Sequence, residues 1–437
     1  MNTRDTQILR IALPSIVSNI TVPLLGMIDV AIVGHMDSPV YIGAVAVGSM
    51  IFNLIYWVFA FLRMGSSGLT SQALGRRDLA EVTRLLVRSM TIALGIAALL
   101  LTFQMPLKWL MFSIISPTAD VAPLASAYFD IVVWGAPAVL GLYSLSGWYV
   151  GMQDTRTPML VSIGQNVVNV LASLTLVYGL GMKTEGVALG TVIAQYSGFL
   201  MALGMLLCRY GRLRRYLVLR GTFVRRAMKP FFNVNRDIFL RTLCLVSVNL
   251  YFTSAGARHG AVILSVNTIM MQFFLFYSYF MDGFAYAGEA LGGRAYGARN
   301  AEAFWSILRR LAGWAAAVTL LFTFVYVVFG LRMIGLLTDE PHVTQTAREY
   351  VGWIWLVPLA STMAFILDGI FIGITATRVM LLSSFLATLL FFAVYLLTRG
   401  LWDNHALWLA MIVYLVMRGA VQAVWLKKHS CTDALLR

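Results

Sequence analysis

The sequence predicts an all-α membrane protein of twelve transmembrane helices, arranged as two six-helix bundles related by a parallel internal repeat. Three observations support this prediction: an apolar composition, a series of apolar stretches long enough to cross a bilayer, and a repeat with constant spacing. The 437 residues are 59% apolar and only 12% charged, whereas a typical soluble domain carries about 25% charged residues. Lipid is therefore expected to cover most of the surface.

Apolar stretches recur along the whole chain. Val40–Leu62, Ser89–Leu107 and Pro158–Met182 contain no charged residue, and each reaches the roughly 18–20 residues that a helix needs to cross about 30 Å of hydrocarbon. Ile11–Ile28 exceeds the usual apolar core of a signal peptide, so we predict a helix there. A β-barrel is disfavoured because no ten-residue alternation of apolar and polar residues occurs. The predicted helices cover residues 10–34, 42–68, 85–113, 122–150, 159–182, 185–209, 231–256, 262–291, 306–337, 345–375, 378–400 and 405–426.

Basic residues indicate the orientation, because cytoplasmic loops of membrane proteins carry an excess of Lys and Arg. With both termini inside, 23 of the 33 Lys and Arg fall in cytoplasmic segments. The outer loops and helix ends contain six: Lys108, Lys183, Arg258, Arg332, Arg348 and Arg399. We therefore expect both termini and the basic segment 210–229 to be cytoplasmic.

The net charge of +14 does not indicate nucleic acid binding. The basic run between Arg209 and Lys229 suits a cytoplasmic loop that contacts anionic lipid, and no nucleic-acid-binding motif accompanies it. The sequence lacks Walker, GxSxG and HExxH motifs, and its three Cys have no CxxC spacing. We therefore expect no ATP site, no metal, no cofactor and no nucleic acid partner.

An internal repeat relates the two halves of the chain by a shift of 222 residues. Equivalent pairs are Gly151–Arg156 and Gly373–Arg378, Gly75–Asp78 and Gly297–Asn300, Tyr128 and Tyr350, and Gly34 and Gly256. Six helices per half place both halves in the same orientation, so a pseudo-twofold axis along the membrane normal and a cleft between the bundles are expected. The predicted domains are an N-terminal lobe at 1–209, a linker at 210–229 and a C-terminal lobe at 230–437, an organisation typical of alternating access.

Acidic residues within predicted helices are candidate functional groups, because a charge at the bilayer centre costs about 2.5–3.5 kcal/mol on insertion scales. Three of them lie in apolar surroundings: Asp29, Asp282 and Asp368. Asp237, in contrast, has Arg236 and Arg241 nearby as expected partners. Asp29 is the first candidate, because apolar runs flank it on both sides and Arg10 is the nearest basic residue on its helix.

Uncharged residues add two further groups of candidates. Asn166, Asn169 and Ser173 share one face of the fifth helix, where they serve either helix packing or function. Met side chains repack easily and aromatic rings attract cations. The candidates for lining a substrate cleft are Met270, Met271, Phe273 and Phe274.

Several motifs resemble one family of transporters. Ile28–His35, Gly151–Pro158 and Gly186–Thr191 resemble segments of the multidrug and toxic compound extrusion (MATE) family, and Met281–Ala290 points to its DinF branch. The similarity covers essentially all 437 residues, and the motifs are specific through their order and spacing. The resemblance implies a MATE-type fold and a monomeric antiporter in the bacterial inner membrane that exports small organic molecules in exchange for inward H⁺ or Na⁺.

The resemblance also implies a cation-coupling site in the N-terminal lobe. Its positions fall on Asp29, Tyr128, Tyr143, Asn169, Ser173 and Thr191. Ser173 stands where many relatives carry a second acid; with one carboxylate fewer to compensate Na⁺, we expect H⁺ coupling. Asp368 resembles an acid used by some Na⁺-coupled relatives, so Na⁺ coupling remains the alternative.

Three other functions compete with this one. A lipid-linked oligosaccharide flippase of the same superfamily would be expected to have a more basic central cavity, and deep arginine candidates are few (Arg63 and Arg241). A membrane-embedded enzyme would require His and carboxylates at one depth, whereas the five His lie near helix ends and loops. A scaffold subunit would not require deep polar groups. We therefore expect a transporter and no enzyme activity.

The orientation can be tested with reporter fusions. Fusions within 210–229 and at both termini should report a cytoplasmic location, and a fusion near Asp339 should report an external one. An external signal from 210–229 would contradict the orientation.

Overall fold

The computed structural model describes residues 3–34, 38–217, 221–338 and 340–430, which form helices and turns and, within these ranges, no strand. His35, Asp339 and Cys431 lie outside the described residues. Eleven helices in these ranges are long and apolar enough to cross a membrane: α1 Thr3–Gly34, α2 Val40–Gly75, α3 Leu79–Thr102, α4 Ala122–Gly151, α5 Arg156–Gly179, α6 Thr184–Tyr216, α7 Arg225–Arg258, α8 Ala261–Gly297, α9 Ala301–Leu337, α10 Pro341–Gly373 and α11 Thr377–His429.

The last helix, α11, accounts for the two final helices of the prediction. Its backbone is non-helical at Asp403, where φ is 44°, so two helices meet there at a kink. We refer to 377–402 and 404–429 as its first and second limbs. Each of the twelve predicted helices therefore has a helical counterpart, and the all-α membrane fold is confirmed.

Helix boundaries differ from the prediction mainly where polar turns extend beyond the apolar run. The N-terminus of α3 is at Leu79, because the side chain of Asp78 accepts a hydrogen bond of 2.9 Å from the backbone N–H of Glu81 and so caps this end. The predicted helix 85–113 is wrong at its far end: α3 ends at Thr102, and a separate short helix, Gln104–Ile115, follows. Hydrophobicity marks only the part of a helix that lies in lipid.

The described residues form two compact units. One, the first unit, is Val17–Phe231; the other, the second unit, comprises the described parts of Met1–Ile16 and Phe232–Arg437. The division falls within α1. Its early residues belong to the second unit, where the side chain of Asp5 receives a 2.7 Å ion pair from Arg310 of α9.

In each unit, two helices pack at backbone distance through glycines. In the first unit a Cβ at Gly147 of α4 would overlap the carbonyl oxygen of Arg63 of α2. In the second unit a Cβ at Gly369 of α10 would overlap the carbonyl oxygen of Ala285 of α8. The two contacts are equivalent in the repeat: Gly147 and Gly369 are 222 residues apart, and so are Arg63 and Ala285. Small residues allow this close approach in membranes, where apolar packing replaces the hydrophobic effect as the source of helix association.

The same shift relates further details of the two units. A Cβ at Gly151 would lie 2.7 Å from the carbonyl oxygen of Ser67, and one at Gly373 would lie 2.7 Å from that of Glu289. Helix ends repeat as well. Four non-glycine residues with positive φ form two equivalent pairs: Arg77 and Arg299, and Gln153 and Thr375. The repeat inferred from the sequence is therefore present in the backbone.

We expect Gly147→Ala and Gly369→Ala each to destabilise the protein by about 1–3 kcal/mol, since the added methyl group meets backbone that cannot rotate away. Thermal unfolding in detergent measures the effect. Gly95→Ala in α3 and Gly313→Ala in α9 are the matched controls, because a Cβ at either position meets nothing within 4 Å. Equal melting temperatures for all four variants would contradict the packing role.

Candidate functional site

Asp29 is buried inside the first unit. Its side chain is only 1% exposed. Thr191 Oγ1 of α6 lies 3.2 Å from Asp29 Oδ2 and also 3.0 Å from the carbonyl oxygen of Val187. The single hydroxyl proton of Thr191 can serve only one of these acceptors at a time. The hydroxyl donor that Thr191 offers to this carboxyl group is therefore neutral and shared.

Two polar side chains of α5 accompany Asp29. Asn169 and Ser173 are both 0% exposed, and Asn169 lies within electrostatic reach of Asp29. Among the described residues, no group forms a hydrogen bond of good geometry with Asp29 Oδ1, with either amide atom of Asn169 or with Ser173 Oγ. Buried polar atoms are nearly always hydrogen-bonded, so these unused donors and acceptors make the group a candidate site for a proton or a small cation.

The two predicted tyrosines occupy different surroundings. Tyr128 of α4 is 2% exposed, and its hydroxyl lies 3.4 Å from Ser49 Oγ and within reach of Asp29 and Thr191. Tyr143, also in α4, is partly exposed and packs with the aromatic core of the same unit. The structure thus brings Asp29, Tyr128, Asn169 and Thr191 together. Ser173 is buried against Gly190 of α6, and Tyr143 contacts the surrounding core. Ser49 joins this group and was not predicted.

Asn166 has a structural contact. Its Nδ2 donates a 2.7 Å hydrogen bond to the carbonyl oxygen of Thr21 and so links α5 to α1. The sequence left two roles open for the polar face of α5, helix packing or function. For Asn166 the hydrogen bond supports helix packing. The residues one and two turns further along, Asn169 and Ser173, form no such contact.

Asp368 of α10 does not lie in apolar surroundings, so that expectation is wrong. Arg241 of α7 and Arg418 of α11 both donate to its Oδ2, the latter at 2.6 Å, and Gln422 Nε2 donates to Oδ1 at 2.6 Å. These partners lie on other helices, far away in the sequence. Two guanidinium groups around one carboxylate leave the cluster positive, which disfavours cation binding.

Of the two arginine partners expected for Asp237, one pairs with it and the other does not. Asp237 pairs with its neighbour Arg236 at 3.0 Å and accepts a 3.2 Å hydrogen bond from Thr377 Oγ1. Arg241, its other expected partner, pairs instead with Asp368.

The remaining candidates lie in α8 within the second unit. Asp282 is partly exposed and within electrostatic reach of Arg418. Met270 and Phe273 are buried in the packed interior of the unit, where the Phe273 ring lies against that of Tyr326 with centroids 5.2 Å apart. Their partly exposed neighbours, Met271 and Phe274, remain candidates for substrate contact.

The 222-residue shift shows that the Asp29 site is confined to the first unit. Residues equivalent to Asp29, Asn169 and Ser173 are Tyr251, Phe391 and Tyr395. The Tyr251 ring contacts the other two: it lies 6.2 Å from that of Phe391 and 5.6 Å from that of Tyr395. The second unit therefore has packed aromatic rings at the equivalent positions.

Comparison with known proteins supports these observations. The MatE family model matches residues 14–175 and 238–397, one match in each half. The chain is 38% identical to the DNA damage-inducible protein F of Escherichia coli strain K12 over 98% of this chain and 93% of that protein. It is 24% identical to a probable multidrug resistance protein NorM of Thermotoga maritima, over 83% of this chain and 79% of that protein.

Solved structures show the same fold. A structure of MATE in the bent conformation superposes with a TM-score of 0.89 at 18% identity, covering 99% of this chain and 96% of that one. An outward-facing multidrug resistance MATE transporter of the MOP superfamily superposes with a TM-score of 0.88 at 17% identity, covering 99% and 97%. This chain is therefore a multi-pass membrane protein of the MatE family, the multidrug and toxic compound extrusion transporters.

Proposed function

We propose that this chain exports organic compounds, lipophilic or cationic, across the bacterial inner membrane in exchange for inward H⁺, with both termini cytoplasmic. Family membership and the similarity to the Escherichia coli protein support efflux and the location. The distribution of Lys and Arg supports the orientation.

The observation that carries H⁺ coupling is the environment of Asp29. This carboxyl group is buried among neutral side chains, so it can bind and release a proton without breaking an ion pair. Asp368 could be protonated only at the expense of its contacts with Arg241 and Arg418. Intramembrane acids with such neutral neighbours are typical of proton relays.

The charge of the site favours H⁺ over Na⁺. Asp29 is the one acid among the described residues grouped there, since Asn169, Ser173 and Thr191 are neutral. Na⁺ would have to exchange its hydration shell for ligands that supply a single negative charge in a medium of low dielectric constant. A proton needs only the carboxylate oxygen.

The available energy is sufficient for efflux. One proton moving down about 100 mV contributes roughly 2.3 kcal/mol, and a tenfold proton gradient adds about 1.4 kcal/mol. The sum of about 3.7 kcal/mol could sustain roughly a 500-fold gradient of a neutral substrate per proton.

Asp29→Asn should abolish gradient-driven export while leaving insertion intact, because the amide mimics the protonated carboxyl group permanently. In proteoliposomes with an imposed pH gradient, a lipophilic cation such as a fluorescent ethidium-type dye reports export. The rate should fall to that of proteoliposomes without an imposed gradient, with little change in dye binding in detergent.

Asp130→Asn is the matched control for this experiment. Asp130 lies in α4 of the same unit and is half-exposed, paired with Lys108 at 2.7 Å, so the same chemical change there should leave export near wild type. If Asp29→Asn exported dye as fast as Asp130→Asn, the coupling group would lie elsewhere.

Asn169→Asp should create a response to Na⁺ that the wild type lacks. The replacement is nearly isosteric and places a second carboxylate beside Asp29, which supplies the charge that Na⁺ requires. Melting temperature in NaCl against choline chloride at equal ionic strength measures the response. A Na⁺-specific rise in the wild type itself would contradict the preference for H⁺.

A further inference from the structure

Three helices of the second unit bring buried charges to one point. Arg241 of α7, Asp368 of α10 and Arg418 of the second limb of α11 are 5%, 6% and 5% exposed. Both arginines donate to the same atom, Oδ2 of Asp368, while Gln422 Nε2 donates to Oδ1 and lies 3.1 Å from Ser383 Oγ. We call these five residues the arginine cluster.

The arginine cluster has one positive charge more than its carboxylate can balance. A structural ion pair needs one arginine per carboxylate, and a buried charge without a partner is costly. Asp282 of α8 lies within electrostatic reach of Arg418 and offsets part of this charge. The two guanidinium groups nevertheless share a single directly bonded carboxylate, Asp368.

Both guanidinium groups also have an unused donor. Within the described ranges, Nε of Arg241 and Nε of Arg418 form no hydrogen bond although both atoms are buried. A guanidinium group presents its donors in a planar fork that matches the two oxygens of a carboxylate. The excess charge and the unused donors are therefore complementary to one further monovalent carboxylate.

We propose that the arginine cluster binds the carboxylate of an organic monoanion, and that Asp368 is an internal ligand that this anion displaces. The meaning of this site for transport rests on the exporter function proposed above: organic monoanions would then be a substrate class handled by the second half. Binding itself requires no ion gradient, and Asp29 lies in the other unit.

Asp368→Asn tests the proposal by removing the internal ligand. Purified protein in a neutral detergent is heated with octanoate as the probe, and intrinsic tryptophan fluorescence reports unfolding. The variant should melt below the wild type without octanoate, and octanoate should restore its melting temperature with an apparent Kd at least about tenfold below that for the wild type. Octanamide, the neutral analogue, should have no effect.

Asp130→Asn is the matched control, because it makes the same chemical change outside both sites, in the pair with Lys108, and should leave the octanoate response at the wild-type level. An Asp368→Asn variant that responds to octanoate no more than Asp130→Asn, or equally to octanamide, would overturn the proposal.

A second pair of variants decides the question if Asp368→Asn does not fold. Arg418→Gln leaves a neutral pair between Arg241 and Asp368 and should lose the octanoate response of the wild type, whereas Arg418→Lys retains the charge and should keep part of it. A full response in Arg418→Gln would show that the cluster is not the binding site. Failure of the coupling proposal at Asp29 would appear only in the vesicle experiment, so the two outcomes remain separate.

Discussion

Backbone-to-backbone packing of α4 on α2, and of α10 on α8, is the constraint on which the other features depend. Gly147 and Gly369 allow these contacts, because a methyl group at either position would overlap a carbonyl oxygen. The helix pairs set the positions of Tyr128 on α4 and Asp368 on α10. Each polar group can then be buried only where neighbouring helices supply donors, acceptors or charge, since the surrounding lipid supplies none.

The two units resolve the problem of a buried acid in different ways. Asp29 has neutral neighbours and unused hydrogen-bonding atoms around it, whereas Asp368 has two guanidinium groups and an amide. The equivalent positions in the opposite half carry no acid: Tyr251 is equivalent to Asp29, and Ser146 is equivalent to Asp368. The repeat therefore preserves the scaffold and not the chemistry.

Much of the fold could be predicted from the sequence, because apolar length and the 222-residue shift are local or periodic signals. Resemblance to a family grouped Asp29, Asn169 and Thr191, and the structure places these residues beside one another; their coupling role stays a prediction. The partners of Asp368 could not be predicted, since Arg241 and Arg418 lie 127 and 50 residues away and only tertiary packing brings them together.

The aromatic filling of Tyr251, Phe391 and Tyr395 has a consequence for the electrical balance of transport. With Asp29 as the one coupling acid, the proposed cycle returns one proton for each substrate. Exchange of a monovalent cation for that proton would move no net charge, so only the pH difference would drive it. A neutral compound would draw on the membrane voltage as well, and a monoanion leaving as a proton enters would draw on twice that voltage. The charge of the exported compound would thus decide how strongly the cell's energy state controls its removal.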